Sequence, residues 1–197
     1  ALDLETTGLS PSEDRILEIG AVKVKDGSIC ERYETLVNPG MAISPRIREL
    51  TGIDDEMAAT GKDTGTAVAE LVEFCGELPL LGHNILFDYS FVKRNAVNLG
   101  LAFEKDGVDT LKIARALLPD LEHKNLPYLC AYYKIAQERA HRASDDACAA
   151  MELYRRLAEE FPDSPEELFA PKQLIYRTKK QGPITAAQKG YLNDLLK

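Results

Sequence analysis

Apolar and polar residues alternate along the first part of the chain. Residues 15–25 (RILEIGAVKVK) alternate closely enough to predict a β-strand. Asp26 and Gly27 then supply a turn, and SICERYETLV after them predicts an antiparallel partner strand. With a short strand that ends at residues 2–5, the pattern predicts that the fold begins with three strands.

Helical spacing replaces this alternation from Ser44 onward. Pro45 opens a short predicted helix that ends near Gly52, and the short apolar run LPLLG at 78–82 predicts a buried strand. Three strands followed by alternating helices and strands predict an α/β fold in which helices flank a mixed sheet. Further helices are predicted at about 66–75, 86–98, 110–118, 125–133 and 144–160.

Length and proline placement divide the chain into two parts. The 197 residues, 45% apolar and 28% charged, fit one large globular domain or one domain plus an appendage. Three prolines fall within ten positions after the last long helix, so we expect a main domain over 1–161 and a linker with a basic C-terminal helical extension over 162–197. A capping-box pattern at 185–188 predicts a helix that runs to Lys197. The first strand is short and no Met precedes it, so we expect further residues upstream of Ala1.

Charge is distributed unevenly between these two parts. The formal net charge is −8, yet residues 171–197 carry six basic side chains and one acidic side chain. The rest of the chain is therefore strongly acidic, which argues against broad electrostatic adhesion to nucleic acid. An acidic body does not exclude a metal-filled site that receives a phosphate.

The four cysteines form no recognisable metal or redox motif. Cys30, Cys75, Cys130 and Cys148 are widely spaced and include no C-x-x-C pair, so free thiols in a reducing cytosol are expected. No apolar run approaches the ~20 residues of a membrane span, and the chain contains no signal-peptide pattern. We therefore expect a cytoplasmic protein.

The first candidate for chemistry is a pair of acidic residues at the end of the opening strand. Asp3 and Glu5 are two positions apart, so both carboxylates share one face of a strand and lie close together. Two like charges this close need a proton or a cation between them, and a hard divalent ion prefers such oxygen ligands. For this pair alone, two solvated edge carboxylates are an equal alternative. The following Thr6, Thr7 and Gly8 bring exposed amides next to the pair, where a nucleotide could bind.

The second candidate follows the apolar run LPLLG. Asp88 lies at i+4 from Asn84 and therefore on the same helical face. The structural alternative is that Asn84 caps the helix and that a carboxylate in the first turn gains from the helix dipole.

The third candidate lies just before the last long helix. His141 would lie in the loop and Asp146 in the first helical turn, with Asp145 between them. Histidine is the side chain best suited to take a proton near neutral pH. Helix capping is the structural alternative for the two aspartates, and Asp145 is the more suited to that role alone.

Taken together, these three motifs resemble those of the DEDDh (DnaQ-like) 3′-to-5′ exonucleases. That family includes the proofreading epsilon subunit of bacterial DNA polymerase III and the exonuclease domain of the Gram-positive replicative polymerase. The resemblance covers about residues 1–160, and a stretch that begins at Asp109 shares it. A histidine, rather than a tyrosine, before the last aspartate separates the chain from the DEDDy type. The residues that carry the resemblance are Asp3-Leu4-Glu5-Thr6-Thr7-Gly8, Gly82-His83-Asn84 to Asp88, and His141 with Asp146 five positions on.

The resemblance implies a ribonuclease-H-like fold and two divalent ions, Mg²⁺ or Mn²⁺, bound by Asp3, Glu5, Asp88 and Asp146. It also implies that His141 takes a proton from the attacking water and that 5′ nucleoside monophosphates leave the 3′ end. The residues support the ions independently, because four converging carboxylates carry a charge that only cations can neutralise. Two ions would contact both oxygens of an in-line displacement at phosphorus.

The same motifs contain the candidates for substrate contact. Thr6, the amides of Leu4 and Thr7 around it, and Asn84 are candidates for binding the terminal nucleotide, whereas Phe87 either stacks on a base or packs in the core. The expected partners are single-stranded DNA or RNA 3′ ends and, as one alternative, a polymerase; no membrane is expected. A binding module without turnover and an endonuclease on the same fold are the competing functions. Contacts to the 2′-hydroxyl would separate DNA from RNA.

Overall fold

The first sheet is built from the predicted three-stranded start. The computed structural model describes residues 1–137, 141–180 and 182. Within them, three antiparallel strands are followed by helices that alternate with short strands, as the hydrophobic pattern predicts. In chain order the elements are β1 (Leu2–Thr6), β2 (Ile16–Lys25), β3 (Ser28–Asn38), α1 (Pro45–Thr51), α2 (Asp55–Ala59), β4 (Lys62–Asp63), α3 (Thr64–Cys75), β5 (Leu80–Gly82), α4 (Leu86–Leu99), β6 (Asp106–Asp109), α5 (Thr110–Leu117), α6 (Leu126–Tyr133), α7 (Ala143–Glu160), α8 (Glu166–Phe169) and β7 (Lys172–Gln173).

Local signals in the sequence explain the first turns and caps. Asp26 and Gly27 both have positive φ, 51° and 74°, which suits the tight turn between β2 and β3. At the start of α1 the hydroxyl of Ser44 accepts a hydrogen bond from the backbone N–H of Ile47. The helix ends where Gly52 adopts φ 69°. These predicted boundaries are confirmed.

A second group of strands lies beside the first sheet. β5 pairs in parallel with β6, and β6 pairs antiparallel with β7. β4 adds a short parallel pairing to β3, so parallel and antiparallel pairs are mixed as predicted. A Cβ added at Gly82, the last residue of β5, would lie 2.9 Å from the carbonyl oxygen of Leu2. The end of β5 therefore runs close to β1, and the loop after it opens beside Asp3.

Helix α7 packs directly on the first sheet. A Cβ added at Gly20 in β2 would lie 2.1 Å from both the carbonyl carbon of Ala143 and the nitrogen of Ser144. Only a glycine permits this approach of strand and helix backbone. The start of α7, which carries Asp146, is thereby placed against β2.

Two large apolar clusters support these elements. One joins β1 and β2 to α3 and α4, and the other packs α5, α6 and α7 together. Leu174, beyond β7, is buried in the first cluster, and the ring of Phe169 in α8 lies 5.7 Å from that of Tyr154. Residues 166–176 are therefore packed on the body of the protein.

The predicted helix from the 185–188 capping box to Lys197 lies outside the described residues. Among the residues described, no helix has the length and apolar character needed to cross a membrane. The four cysteines are free thiols, of which Cys75 and Cys130 are buried.

Candidate active site

The first two carboxylates lie on one face of β1. Leu2 and Leu4 are buried in the core, so the alternation of the strand directs Asp3 and Glu5 to the opposite face. The Glu5 side chain is nevertheless buried, and its register partner on β2 is Glu18. The structure thus supports the same-face arrangement of Asp3 and Glu5 but not the alternative of two solvated edge residues.

The third carboxylate comes from the first turn of α4. Asp88 is 3% exposed, and its Oδ1 accepts a hydrogen bond of 3.0 Å from the backbone N–H of Leu4. This bond joins α4 to β1 next to Asp3. The alternative role of Asn84 as a helix cap is wrong, because the N-cap position is Ile85 and no side chain caps the helix.

Asn84 has a different structural role. Its φ is 69°, and its backbone N–H donates to Oδ1 of Asp109 at 3.0 Å. The same oxygen accepts from the N–H of Leu111, so Asp109 caps α5 while it fixes the loop after β5. The Asn84 side chain is exposed, four positions before Asp88.

The remaining pair comes from the start of α7. His141 lies before the helix with φ 62°, and Asp146 lies in its first turn, as predicted. Asp146 accepts hydrogen bonds from Nε2 of Gln137 at 2.8 Å and from the backbone N–H of His141 at 3.2 Å. Ligand atoms of Glu5, His141 and Asp146 all lie within 4.8 Å of one another.

Electrostatics show that the carboxylates share one site. Burial raises the pKa of Asp3 well above its ordinary range, and the charges of Asp88, Asp146, Glu5 and Glu18 raise it further. Burial, followed by the charges of Asp146 and Glu18, raises the pKa of Glu5 to about 8. The pKa values of Asp88 and Asp146 are also raised, in both cases mainly by burial.

This arrangement suits divalent metal ions. Oxygen donors from three buried carboxylates and the half-buried Asp3 match the preference of hard cations such as Mg²⁺ and Mn²⁺. The raised pKa values show that the protein alone does not stabilise these groups in their charged form. Bound cations would remove that penalty, so the donor set fits the predicted ions.

The candidate substrate residues occupy two kinds of environment. The Thr6 hydroxyl donates to the carbonyl oxygen of Gly8 at 2.7 Å, and the Thr7 hydroxyl accepts from the backbone N–H of Arg15 at 2.9 Å. Both threonines therefore shape the loop that follows β1. Their hydroxyl groups are engaged within the protein.

Leu4 and Phe87 lie closer to the core. The Leu4 side chain is buried and its amide is already bonded to Asp88. Phe87 is half-buried against the first apolar cluster, with its ring 5.1 Å from that of Phe91. Among these candidates, Asn84 is the residue with an exposed polar side chain at the site.

Two residues that the sequence analysis did not select lie directly beneath the site. Glu18 is 1% exposed on β2, and Arg142 forms hydrogen bonds to both of its carboxylate oxygens. The signal for Glu18 was present, because it is the acidic residue within the otherwise apolar core of ILEIGAV. Nothing in the local pattern marks Arg142 or Gln137.

A cavity of about 590 Å³ lies elsewhere in the protein. It lies where β1 begins, and its lining includes Ala1, Val22, Phe74, Tyr154 and Phe169. The four carboxylates are not among the described residues that line it. Charge and burial, rather than cavity size, therefore locate the candidate site.

Comparison with known proteins identifies the family of the chain that carries this cluster. An exonuclease family model, RNase_T, matches residues 1–154, which include the four carboxylates and His141. The chain belongs to this exonuclease family. The family predicted from the three motifs is therefore confirmed.

The relatives that the chain matches include DNA polymerases. The chain is 39% identical over 161 residues to DNA polymerase III PolC-type from Caldanaerobacter subterraneus subsp. tengcongensis, covering 82% of this chain and 12% of that protein. It is 39% identical over 153 residues to the PolC-type polymerase of Clostridium perfringens, covering 78% of this chain and 11% of that protein. The chain thus spans about an eighth of the length of these relatives.

Solved structures confirm the fold. Exonuclease X in complex with 5′-overhanging duplex DNA superposes with a TM-score of 0.65 at 23% identity, over 85% of this chain and 95% of that one. Escherichia coli Exonuclease I in complex with a dT13 oligonucleotide gives a TM-score of 0.73 at 19% identity, over 82% of this chain and 41% of that one. The predicted ribonuclease-H-like fold is therefore correct.

Proposed function

We propose that the chain is a metal-dependent 3′-to-5′ exonuclease that releases 5′ nucleoside monophosphates. The observation that carries this proposal is the convergence of Asp3, Glu5, Asp88 and Asp146 with His141 within an exonuclease fold. The four carboxylates would bind two divalent ions, Mg²⁺ or Mn²⁺. Those ions supply electrostatic stabilisation to the oxygens that gain charge at the scissile phosphorus.

His141 is the proposed general base. Its backbone N–H bonds to Asp146, which fixes the loop residue to the first turn of α7. A ring atom of His141 lies within 4.8 Å of Glu5 and Asp146 carboxylate oxygens, so the imidazole faces the site. This position suits a role in taking a proton from an attacking water.

Single-stranded DNA is the proposed substrate. Exonuclease I, which shares the fold, has been solved with dA16 and dT13 oligonucleotides. In this chain, the exposed Asn84 side chain beside Asp88 is the proposed contact to the terminal nucleotide, with Thr6, Thr7, Leu4 and Phe87 shaping the surface around it. Residues 1–161 would form the nuclease domain.

The PolC-type relatives suggest where such an activity acts. Because they are DNA polymerases, we propose that this nuclease works with a polymerase and removes nucleotides from a growing 3′ end. A nuclease of this kind needs a frayed or single-stranded terminus rather than a paired one.

End-labelled oligonucleotides test the proposal. With Mn²⁺ or Mg²⁺, a 3′-labelled DNA strand should release its label as a mononucleotide at once, and a 5′-labelled strand should shorten progressively. A matched RNA strand measures the preference between the two sugars. Internal cuts would indicate an endonuclease, and binding without cleavage would indicate a module without turnover.

Asp88→Asn is the control for that experiment. It removes a carboxylate while it leaves an oxygen to accept from the Leu4 N–H, so the fold should survive. Cleavage that persists at the wild-type rate in this variant would contradict the assignment of the site.

A further inference from the structure

An ion pair between the partly exposed Arg142 and the buried Glu18 lies beneath the proposed catalytic cluster and joins β2 to the start of α7. Nε of Arg142 lies 3.0 and 3.1 Å from the two carboxylate oxygens of Glu18, and Nη2 lies 2.5 Å from Oε1. The backbone N–H of Ala143 donates to Oε2 at 3.0 Å. Two consecutive residues at the start of α7 therefore share one buried carboxylate.

Arg142 is also connected to His141 and Asp146, the two proposed catalytic residues of the third motif. The carbonyl oxygen of Arg142 accepts hydrogen bonds from the backbone N–H groups of Asp145 and Asp146, at 2.9 and 3.0 Å. His141 directly precedes Arg142 and donates its own N–H to the Asp146 carboxylate. A displacement of Arg142 would consequently move the base and the metal ligand together.

The carboxylate end of the pair is fixed to the first motif. Glu18 lies opposite Glu5 in the β1–β2 register, and Gly20, two positions on, contacts the backbone of α7. Glu18 and Gly20 share a face of β2, so the helix start is held at one point by hydrogen bonds and at the next by direct backbone contact.

From this geometry we propose that Glu18 and Arg142 are positioning residues, which set the distance from His141 and Asp146 to Glu5. The inference rests on the proposed nuclease function. Neither side chain needs to touch substrate or metal, because Glu18 is 1% exposed and its oxygens are occupied by Arg142 and Ala143. Groups that orient metal ligands from behind typically change metal affinity or activity by ~10- to 100-fold when they are removed.

Two conservative variants test the proposal. Glu18→Gln keeps the shape of the side chain, and Arg142→Lys keeps the charge but loses the paired contact to both oxygens. Each should lower kcat by ~10- to 100-fold and weaken Mn²⁺ binding, measured by calorimetry, by about tenfold. KM for a DNA oligomer should stay within about twofold, because substrate contacts are untouched.

The double variant Glu18→Gln with Arg142→Lys adds a second criterion. Because the two residues act as one unit, it should lose no more kcat than the worse single variant. Arg155→Lys is the matched control on the same helix, where Arg155 contacts Glu152 and Glu159 at the exposed surface. It should change neither kcat nor Mn²⁺ affinity.

Specific outcomes overturn the inference. The inference is wrong if both single variants keep the wild-type kcat and Mn²⁺ affinity. It is also wrong if their loss of kcat disappears at a temperature where the variants are fully folded. A wild-type protein that binds Mn²⁺ but cuts no DNA would contradict the proposed function alone, since calorimetry still measures the effect of the two variants. A wild-type protein that binds no Mn²⁺ would contradict both.

Discussion

Replacing Glu5 by glutamine should stabilise the metal-free protein at alkaline pH. Glu5 is buried among other carboxylates, and its pKa rises from an ordinary 4.5 to about 8 on folding. The folded state therefore favours the protonated form. The stability that this proton provides is complete below pH 4.5 and is lost as the pH rises through 8.

The size of the effect follows from the two pKa values. They differ by about 3.5, and one pH unit corresponds to about 1.4 kcal/mol, so ionised Glu5 destabilises the metal-free fold by at most about 5 kcal/mol above pH 8. The neighbouring carboxylates also change their protonation, which reduces the observed value. We expect Glu5→Gln to raise the free energy of unfolding by about 2 kcal/mol or more at pH 8.5.

Urea denaturation in EDTA at pH 4.5 and pH 8.5 measures this difference. The advantage of the variant should be largest at pH 8.5 and nearly absent at pH 4.5. In millimolar Mn²⁺ the order should reverse, because the wild type binds the ion to the folded state more tightly. Glu49→Gln, a change at an exposed glutamate of α1, is the control and should have little effect.

Equal stability of Glu5→Gln and wild type at pH 8.5 in EDTA would refute the reasoning. It would mean that Glu5 is not held in a low-dielectric cluster of like charges. A variant that is less stable at both pH values would point instead to a hydrogen bond that the Glu5 carboxylate accepts.

Four further variants test the assignment of the site and its surroundings. His141→Ala should lower the single-turnover rate by ~10²- to 10⁴-fold with an unchanged circular dichroism spectrum, the usual contribution of a positioned general base. Asp146→Asn should be similarly damaging through lost metal binding, whereas Asp145→Asn should be mild; the reverse order in the same assay would show that the third motif is misassigned. Lys179 and Lys180 are exposed, and replacing both by alanine should reduce the slope of log affinity for single-stranded DNA against log salt by about 0.7 per lysine. An unchanged slope would place both lysines outside the binding surface.

The elements that could be predicted from the sequence are those whose hydrophobic pattern repeats over several helical turns or strand pleats. β2 and β3 are ten and eleven residues long, and α7 has eighteen, so their periodicity is unambiguous. The short elements β4, β6 and α2 have two, four and five residues, too few for a period to be recognised. Their positions depend on contacts with the rest of the fold.

The residues of the candidate site also divide into those that the sequence could predict and those that depend on tertiary contacts. The four carboxylates and His141 could be selected from the sequence because their residue types and spacing suit metal-dependent chemistry, and their role as ligands and base stays a prediction. The pairing of Glu18 with Arg142 could not be predicted, because the two residues are 124 positions apart and only the packing of α7 on β2 brings them together. The helix-cap alternative for Asn84 is wrong because the left-handed φ of Asn84 and its backbone bond to Asp109 depend on β6.

The order in which the site residues occur along the chain has a consequence for synthesis. Of these residues, Asp3 and Glu5 emerge from the ribosome first, Asp88 much later, and His141 with Asp146 only near the end of the proposed nuclease domain. Contacts between such distant segments form late in folding, because long loops must close before they are gained. A nascent or truncated chain that ends before His141 lacks both His141 and Asp146. Under the proposed function such fragments would lack the general base and one metal ligand, so hydrolysis would arise only when α7 has docked on the completed sheet.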